Sequence, residues 1–179
     1  MRPMVEKRAL LEAAGGSPFW RAYLTRAFRS SRISIHLAVF EEPYLRYVLD
    51  GSKTVESRFT KRAIPPYQRI RPGDIVLVKR TGAGIEGICR ATDVWYYRLE
   101  QKAWSEIRDN FGSLMRTTSG FLRSRSKAKF CTLIRIDEVF KTPSLSVRKR
   151  DRRGWVVLLP RVLPEDDKRT PQPNRRGRP

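Results

Sequence analysis

From Ile33 onward, apolar and polar positions take turns. Ile33, Ile35, Leu37 and Val39 fall on one side of an extended segment and Ser34, His36 and Ala38 on the other, the two-residue period of a half-buried strand. Before that point the period is longer. Trp20, Leu24 and Phe28 recur every four residues with Phe19 and Tyr23 beside them, while Arg21, Arg26 and Arg29 fill the rest of the wheel. Residues 1–32 therefore predict a helical extension packed on the body. Gly15-Gly16-Ser17-Pro18 divides it, with Ser17 as cap and Pro18 as first residue of the second helix.

Beyond the first strand, Pro43 opens a short helix through Leu45 and Leu49. Gly51 is placed to end it in the left-handed conformation that glycine adopts cheaply. Val55, Ser57 and Phe59 then share one strand face, with Thr54, Glu56 and Arg58 on the other. Pro72-Gly73 suits the centre of a type II turn ahead of a buried strand, Ile75–Val78, and Gly82 to Gly84 turns that strand into Ile85–Val94. Trp95-Tyr96-Tyr97 stands where this strand is expected to leave the sheet. Trp104, Ile107, Phe111 and Leu114 have the spacing of an inserted helix. Strand character returns in Phe130–Val139 and Gly154–Leu159, separated by the basic loop Arg148-Lys149-Arg150-Asp151-Arg152-Arg153. About six short strands with few helices predict an α+β domain over residues 33–162, its curved sheet closing or nearly closing into a small β-barrel. Residues 163–179, dominated by proline and charged residues, predict a disordered basic tail.

Charge narrows the function. The chain carries 38 Lys and Arg against 18 Asp and Glu, a formal net charge of +20 with a pI near 11.0, more than solubility requires. A polyanionic partner accounts for it economically, and compositional drift without a ligand is the alternative. The basic residues are dispersed rather than gathered on one amphipathic helix, which disfavours a membrane surface. No recognition-helix or zinc-finger pattern marks a DNA reader, so RNA or a nucleotide is the expected partner. Cys89 and Cys131 lie in apolar, strand-like stretches without the paired spacing of a disulfide framework or zinc site. A reducing, cytoplasmic setting is expected, with no metal or cofactor. Ala9-Leu10-Leu11 is broken by Glu12, and Trp155 to Leu159 ends at Pro160, so neither a signal peptide nor a membrane span is expected.

The densest chemistry lies in Gly51-Ser52-Lys53-Thr54-Val55-Glu56-Ser57-Arg58. Glu56 and Arg58, two residues apart on one strand face, have Cα atoms roughly 6.5–7 Å apart, and Lys53 at the preceding turn reaches the same region. Together they suit a phosphate or a polar base edge, Arg58 through its planar fork and Lys53 as a mobile point charge. The alternative is an ion pair that pins the turn.

The pattern Gly-x-Lys-x-x-Glu-x-Arg is followed by Arg71-Pro72-Gly73-Asp74, by Gly84-Ile85-Glu86-Gly87 and by Arg153-Gly154-Trp155-Val156-Val157-Leu158. In that order, over about Ile33 to Leu159, these segments resemble the ASCH domain of the PUA-like superfamily. The resemblance implies a PUA-like β-barrel whose groove, lined by the Lys53–Arg58 motif, accepts RNA or a modified nucleoside. One bacterial branch of the family consists of amidohydrolases that deacetylate N4-acetylcytidine, and its motif lysine matches Lys53. Its catalytic threonine aligns with Glu56 here, and Glu106 is the nominee for its catalytic glutamate. Other members resemble nucleases, and a ribonuclease is the further alternative.

The expected nucleic-acid-binding residues are thus Gly51, Lys53, Thr54, Glu56, Arg58, Lys79, Arg80, Trp95, Arg152 and Arg153. Lys53 and Glu56 are also the catalytic pair if the protein is an enzyme. Trp95 is the candidate base-stacking ring, with burial as its alternative. Arg123, Arg125, Lys127 and Lys129 form a further basic run suited to phosphates. His36, the sole histidine, has no nameable triad partner and is expected to be structural.

Overall fold

The computed structural model describes residues 5–147 and 152–162. The expected tail, and Arg148 to Asp151 of the basic loop, lie outside the described residues. Two helices come first, α1 (Lys7–Ala13) and α2 (Pro18–Arg29). The Ser17 hydroxyl accepts from the Trp20 amide at 3.3 Å, and Pro18 takes the first helical position, where its missing N–H costs nothing. Then follow β1 (Ile35–Phe40), α3 (Tyr44–Leu49), β2 (Val55–Thr60), β3 (Ile75–Arg80), β4 (Ile85–Arg98), α4 (Gln101–Phe111), α5 (Ser119–Ser124), β5 (Phe130–Leu145) and β6 (Trp155–Leu159). Gly51 (φ 78°) and Gly73 (φ 88°) occupy the left-handed region, as the helix end at Gly51 and the turn into β3 require.

The six strands among the described residues form one curled half-barrel sheet in the order β2-β5-β4-β3-β1-β6. The α+β class predicted from the pattern is the class observed, and its curled sheet agrees with the architecture that the resemblance implies. β1 and β3 run parallel, Leu37 opposite Leu77, with α3 and β2 in the connection between them. The remaining neighbours are antiparallel. Three register shifts interrupt the long β4–β5 ladder, and bulges of this kind bend strands and increase their twist. The strand period shows in burial. Ile75, Leu77, Ile85 and Ile88 join one apolar cluster, and Val76, Val78, Cys89 and Ala91 join another.

The first cluster also contains Leu10, Trp20, Leu24 and Ala27. The amino-terminal helices therefore share a core with the sheet, beside the start of β1. The second lies with α3 inside the curl, and the third, around Ile107, Phe111 and Met115, underlies α4.

Three differences from the sequence reading matter. β4 continues through Trp95-Tyr96-Tyr97 to Arg98, paired along that stretch with Phe130–Leu133 of β5, so the aromatic run is part of the sheet and not its exit. β5 extends past Val139 to Leu145. The basic run begins inside a short helix, α5, capped by Thr118.

Candidate functional site

At the end of the curl, the C-terminal ends of β1 and β3, the strand β2, the start of β6 and helix α5 enclose a cleft of about 750 Å³. The Lys53–Arg58 motif lies on its floor. Lys53 is 2% exposed and Glu56 6%, both held there because β2 pairs with the central β5 strand, Glu56 opposite Ile134. Lys53 Nζ donates to the Met115 carbonyl at 2.7 Å and lies 3.3 Å from Glu56 Oε2. The second carboxylate oxygen, Oε1, lies 2.7 Å from Arg58 Nε. Glu56 is thus an anion gripped between two cations.

Arg58 does more than pair. Its Nη2 donates to the Val39 carbonyl at 3.0 Å and its Nη1 to the Gly154 carbonyl at 3.2 Å. Phe40 and Trp155 lie 4.9 and 5.2 Å from the guanidinium. β2 and β6 are the two edges of the sheet and share no ladder, so this side chain ties one edge to the other. Gly154 permits the approach: a Cβ there would stand 3.3 Å from Arg58 Nη1.

Burial pushes the Lys53 ammonium below the ordinary lysine range, with Glu56 opposing the shift and Arg58 adding to it. Cys89 and Cys131 are pushed the other way, first by burial and then by the Glu56 charge, so neither thiol is an available nucleophile near neutrality. Above the floor, Phe40, Tyr44, Phe59 and Phe121 line the walls, and Arg125, Arg152 and Arg153 line the rim. The Arg125 guanidinium sits 5.0 Å from the Phe121 ring. The Thr117 hydroxyl, also on the cleft, is buried without a hydrogen-bond partner.

Other residues singled out from sequence lie elsewhere. Trp95 is 5% exposed and packed on Phe111 at 4.9 Å. It presents no face to a base, because β4 runs on through the sheet at that point. Arg80 turns from the cleft to bridge Glu42 and Glu86. Lys79 lines the cleft, but its ammonium donates to the carbonyls of Arg80 and Ala83 and holds the β3–β4 turn. Gly51 ends α3 outside the lining, and Thr54 donates its amide to Leu114. Glu106, on the exposed side of α4, accepts from the Tyr97 hydroxyl at 2.9 Å, away from Lys53 and Glu56. Arg123, Lys127 and Lys129 are exposed and do not line the cleft.

His36 does have a carboxylate partner, one the sequence left unnamed. Its Nδ1 accepts from Trp155 Nε1 at 3.0 Å, which leaves the Nε2 hydrogen for Asp74 Oδ2 at 3.2 Å. Asp74 also accepts from the Ser34 and Arg71 amides at 2.8 Å and from Arg161. With His36 and Asp74 both 0% exposed, this network joins β1, β3 and β6 inside the core, and the Ser34 hydroxyl beside it accepts from the Arg161 amide at 3.0 Å. Among the described residues, no group of three or more His, Cys, Asp or Glu is placed to hold a metal ion, and no helix is long and apolar enough to cross a membrane.

A curled mixed sheet with a short helix after its first strand and a polar motif entering its second defines an α+β domain built on a half-barrel. Among the solved structures that match it are two point-mutant forms of ZmASCH, the ASCH protein of Zymomonas mobilis, each with TM-score 0.52 and 12% identity. The matches cover 62% of this chain and 74% and 72% of theirs. The fold is that of an ASCH domain. No protein-family model matches the chain, and no curated protein sequence matches it.

Proposed function

We propose that the cleft binds RNA or a nucleotide, with Lys53, Glu56 and Arg58 reading a base edge and the rim arginines Arg125, Arg152 and Arg153 engaging phosphates. The observation that carries this reading is the convergence of the motif on the floor of a cationic cleft with aromatic walls. Glu56 supplies an acceptor between two cationic donors. Lys53 has three N–H groups and Arg58 five, so each keeps donors beyond those used inside the protein. Acceptor beside donor complements a base that offers an amino group next to a ring nitrogen, as cytosine and adenine do. The walls offer ring faces for stacking, and the rim arginines fix position without reading sequence. The ASCH resemblance supports the same class of ligand.

Titration of a labelled single-stranded RNA against the full chain tests the proposal. With four to six phosphates engaged, log affinity falls against log salt with a slope of about −3 to −4. No RNA affinity at low salt refutes it.

A second reading, amide hydrolysis on an N4-acetylcytidine-type nucleoside, is favoured by one observation, the depressed Lys53 pKa beside Glu56. A lysine so shifted is a stronger candidate base near neutrality. Against it, both carboxylate oxygens of Glu56 are engaged by cations. Incubation of N4-acetylcytidine with the protein decides: cytidine released by the wild type and not by Lys53→Ala supports hydrolysis, and no cytidine from either removes it.

A further inference from the structure

A second cationic surface lies at the opposite end of the first strands, on α2. This helix buries Trp20, Leu24 and Ala27 against the sheet and turns Arg21, Arg26 and Arg29 outward, all exposed. It contains no acidic residue, and among the described residues no carboxylate pairs with these three arginines. Several arginines elsewhere do meet carboxylates: Arg8 meets Glu12, Arg80 meets Glu42 and Glu86, Arg108 meets Asp109, and Arg135 meets Asp93. Between the α2 arginines, small residues, Gly15, Ala22 and Thr25, floor a shallow groove of about 790 Å³.

Helical geometry places Arg21 and Arg29 about 12 Å apart along the axis, with Arg26 between them. On the same side of the helix as Arg26 but two turns earlier stands Phe19, 37% exposed and stacked on Tyr23 at 5.5 Å with a 12° interplanar angle. The pair is braced by Arg90, whose guanidinium lies 5.6 Å from the Phe19 ring. Arginines over a small-residue floor, flanked by an exposed ring, are a surface for a phosphate backbone with one base stacked at its side.

We infer that the outer face of α2 is a second nucleic-acid contact, separate from the cleft, which grips the RNA backbone through Arg21, Arg26 and Arg29 and stacks one base on Phe19. A bilayer does not fit, because the apolar side of α2 is already spent on the core and a surface-binding helix needs that side free. The cleft is at the C-terminal ends of β1 and β3. α2 is at their beginnings, where the Tyr23 hydroxyl donates to the Gly73 carbonyl at 2.8 Å. The length of β1 alone separates the two contacts by roughly 17 Å, so one RNA strand of modest length touches both and a single nucleotide does not.

The test compares the full chain with Arg21→Gln/Arg26→Gln/Arg29→Gln and with a control that removes equal charge elsewhere, Lys61→Gln/Lys102→Gln/Lys141→Gln. Labelled single-stranded RNA of twelve or more nucleotides is titrated across salt. Loss of three phosphate contacts lowers the salt slope by about 2. The affinity lost between 50 and 200 mM salt is then about 18-fold smaller for the α2 variant than for the wild type, and binding of a mononucleotide does not change. Equal slopes for the α2 variant and the control, or an α2 variant that loses binding to phosphatidylserine vesicles or to a polyglutamate peptide while keeping its RNA slope, overturns the inference. Cleft variants that leave mononucleotide binding unchanged while this slope difference persists would sink the cleft reading alone.

Discussion

Replacement of Arg58 by alanine is the most informative single perturbation, because the side chain serves both the seam of the sheet and the cleft. It is 18% exposed. Truncation leaves the Val39 carbonyl without its donor and one oxygen of the buried Glu56 without its cation. It also removes the guanidinium from between Phe40 and Trp155. A hydrogen bond from a charged donor contributes about 1.5–3 kcal/mol, and a partly desolvated cation–π contact roughly 0.5–2 kcal/mol. The bond to Gly154, which faces solvent, adds little. The expected loss is therefore about 3–4 kcal/mol, a large share of the roughly 5–15 kcal/mol that stabilises a domain. For a chain of this size that lowers Tm by about 6 to 16 °C.

Urea unfolding of wild type, Arg58→Ala, Glu56→Gln and the double variant measures it. Because the two residues share one ion pair, their losses fall short of additive by at least about 1 kcal/mol. A loss below about 1 kcal/mol for Arg58→Ala refutes the claim that Arg58 fastens one sheet edge to the other, and strict additivity in the cycle refutes its coupling to Glu56.

The buried Lys53 ammonium gives a pH signature. Its folded pKa lies below the unfolded value of about 10.4, so between the two the unfolded chain binds more protons and stability rises with pH. Unfolding free energies measured from pH 8 to 10.5 show wild type gaining on Lys53→Met across that window; a constant difference argues against the shift. Gly84→Ala sets a Cβ 2.6 Å from the Leu145 carbonyl oxygen, a backbone atom that cannot swing aside. The expected cost is about 1–3 kcal/mol in thermal unfolding, and a neutral result shows that the β4–β5 end yields. Trp95→Phe lowers stability by roughly 1–3 kcal/mol and leaves RNA affinity within about twofold, since the ring is core; a tenfold loss of affinity at unchanged stability overturns that placement.

Periodicity made most of the fold readable. The change from four-residue to two-residue spacing near Ile33 separates α2 from β1, and Ser17-Pro18 and Gly73 mark local conformations that few other residues adopt. The ends of β4 and β5 were not readable, because half-buried tyrosines and charged residues continue a strand as easily as they leave one. Parallel pairing of β1 with β3 is a long-range choice that neither segment records. At the site, Lys53, Glu56 and Arg58 were legible because three ionisable groups stand within six residues of one strand entry. Phe40, Tyr44, Phe59 and Phe121 were missed, since an aromatic residue on a strand or helix has the same pattern whether it faces a core or a cleft. Asp74 escaped notice as the partner of His36 because it stands in a turn 38 residues away.

The place of β6 in the sheet bears on how the protein is made. The last of the described strands lies against the first, and it brings Trp155 to His36, the Gly154 carbonyl to Arg58 and Arg161 to Asp74. While the ribosome is still adding these residues, the free edge of β1 has no neighbour, the histidine and aspartate of the core lack part of their network, and one wall of the cleft is missing. The growing polypeptide thus emerges with the cleft unfinished, and its wall is completed only when β6, the last of the described strands, joins the sheet.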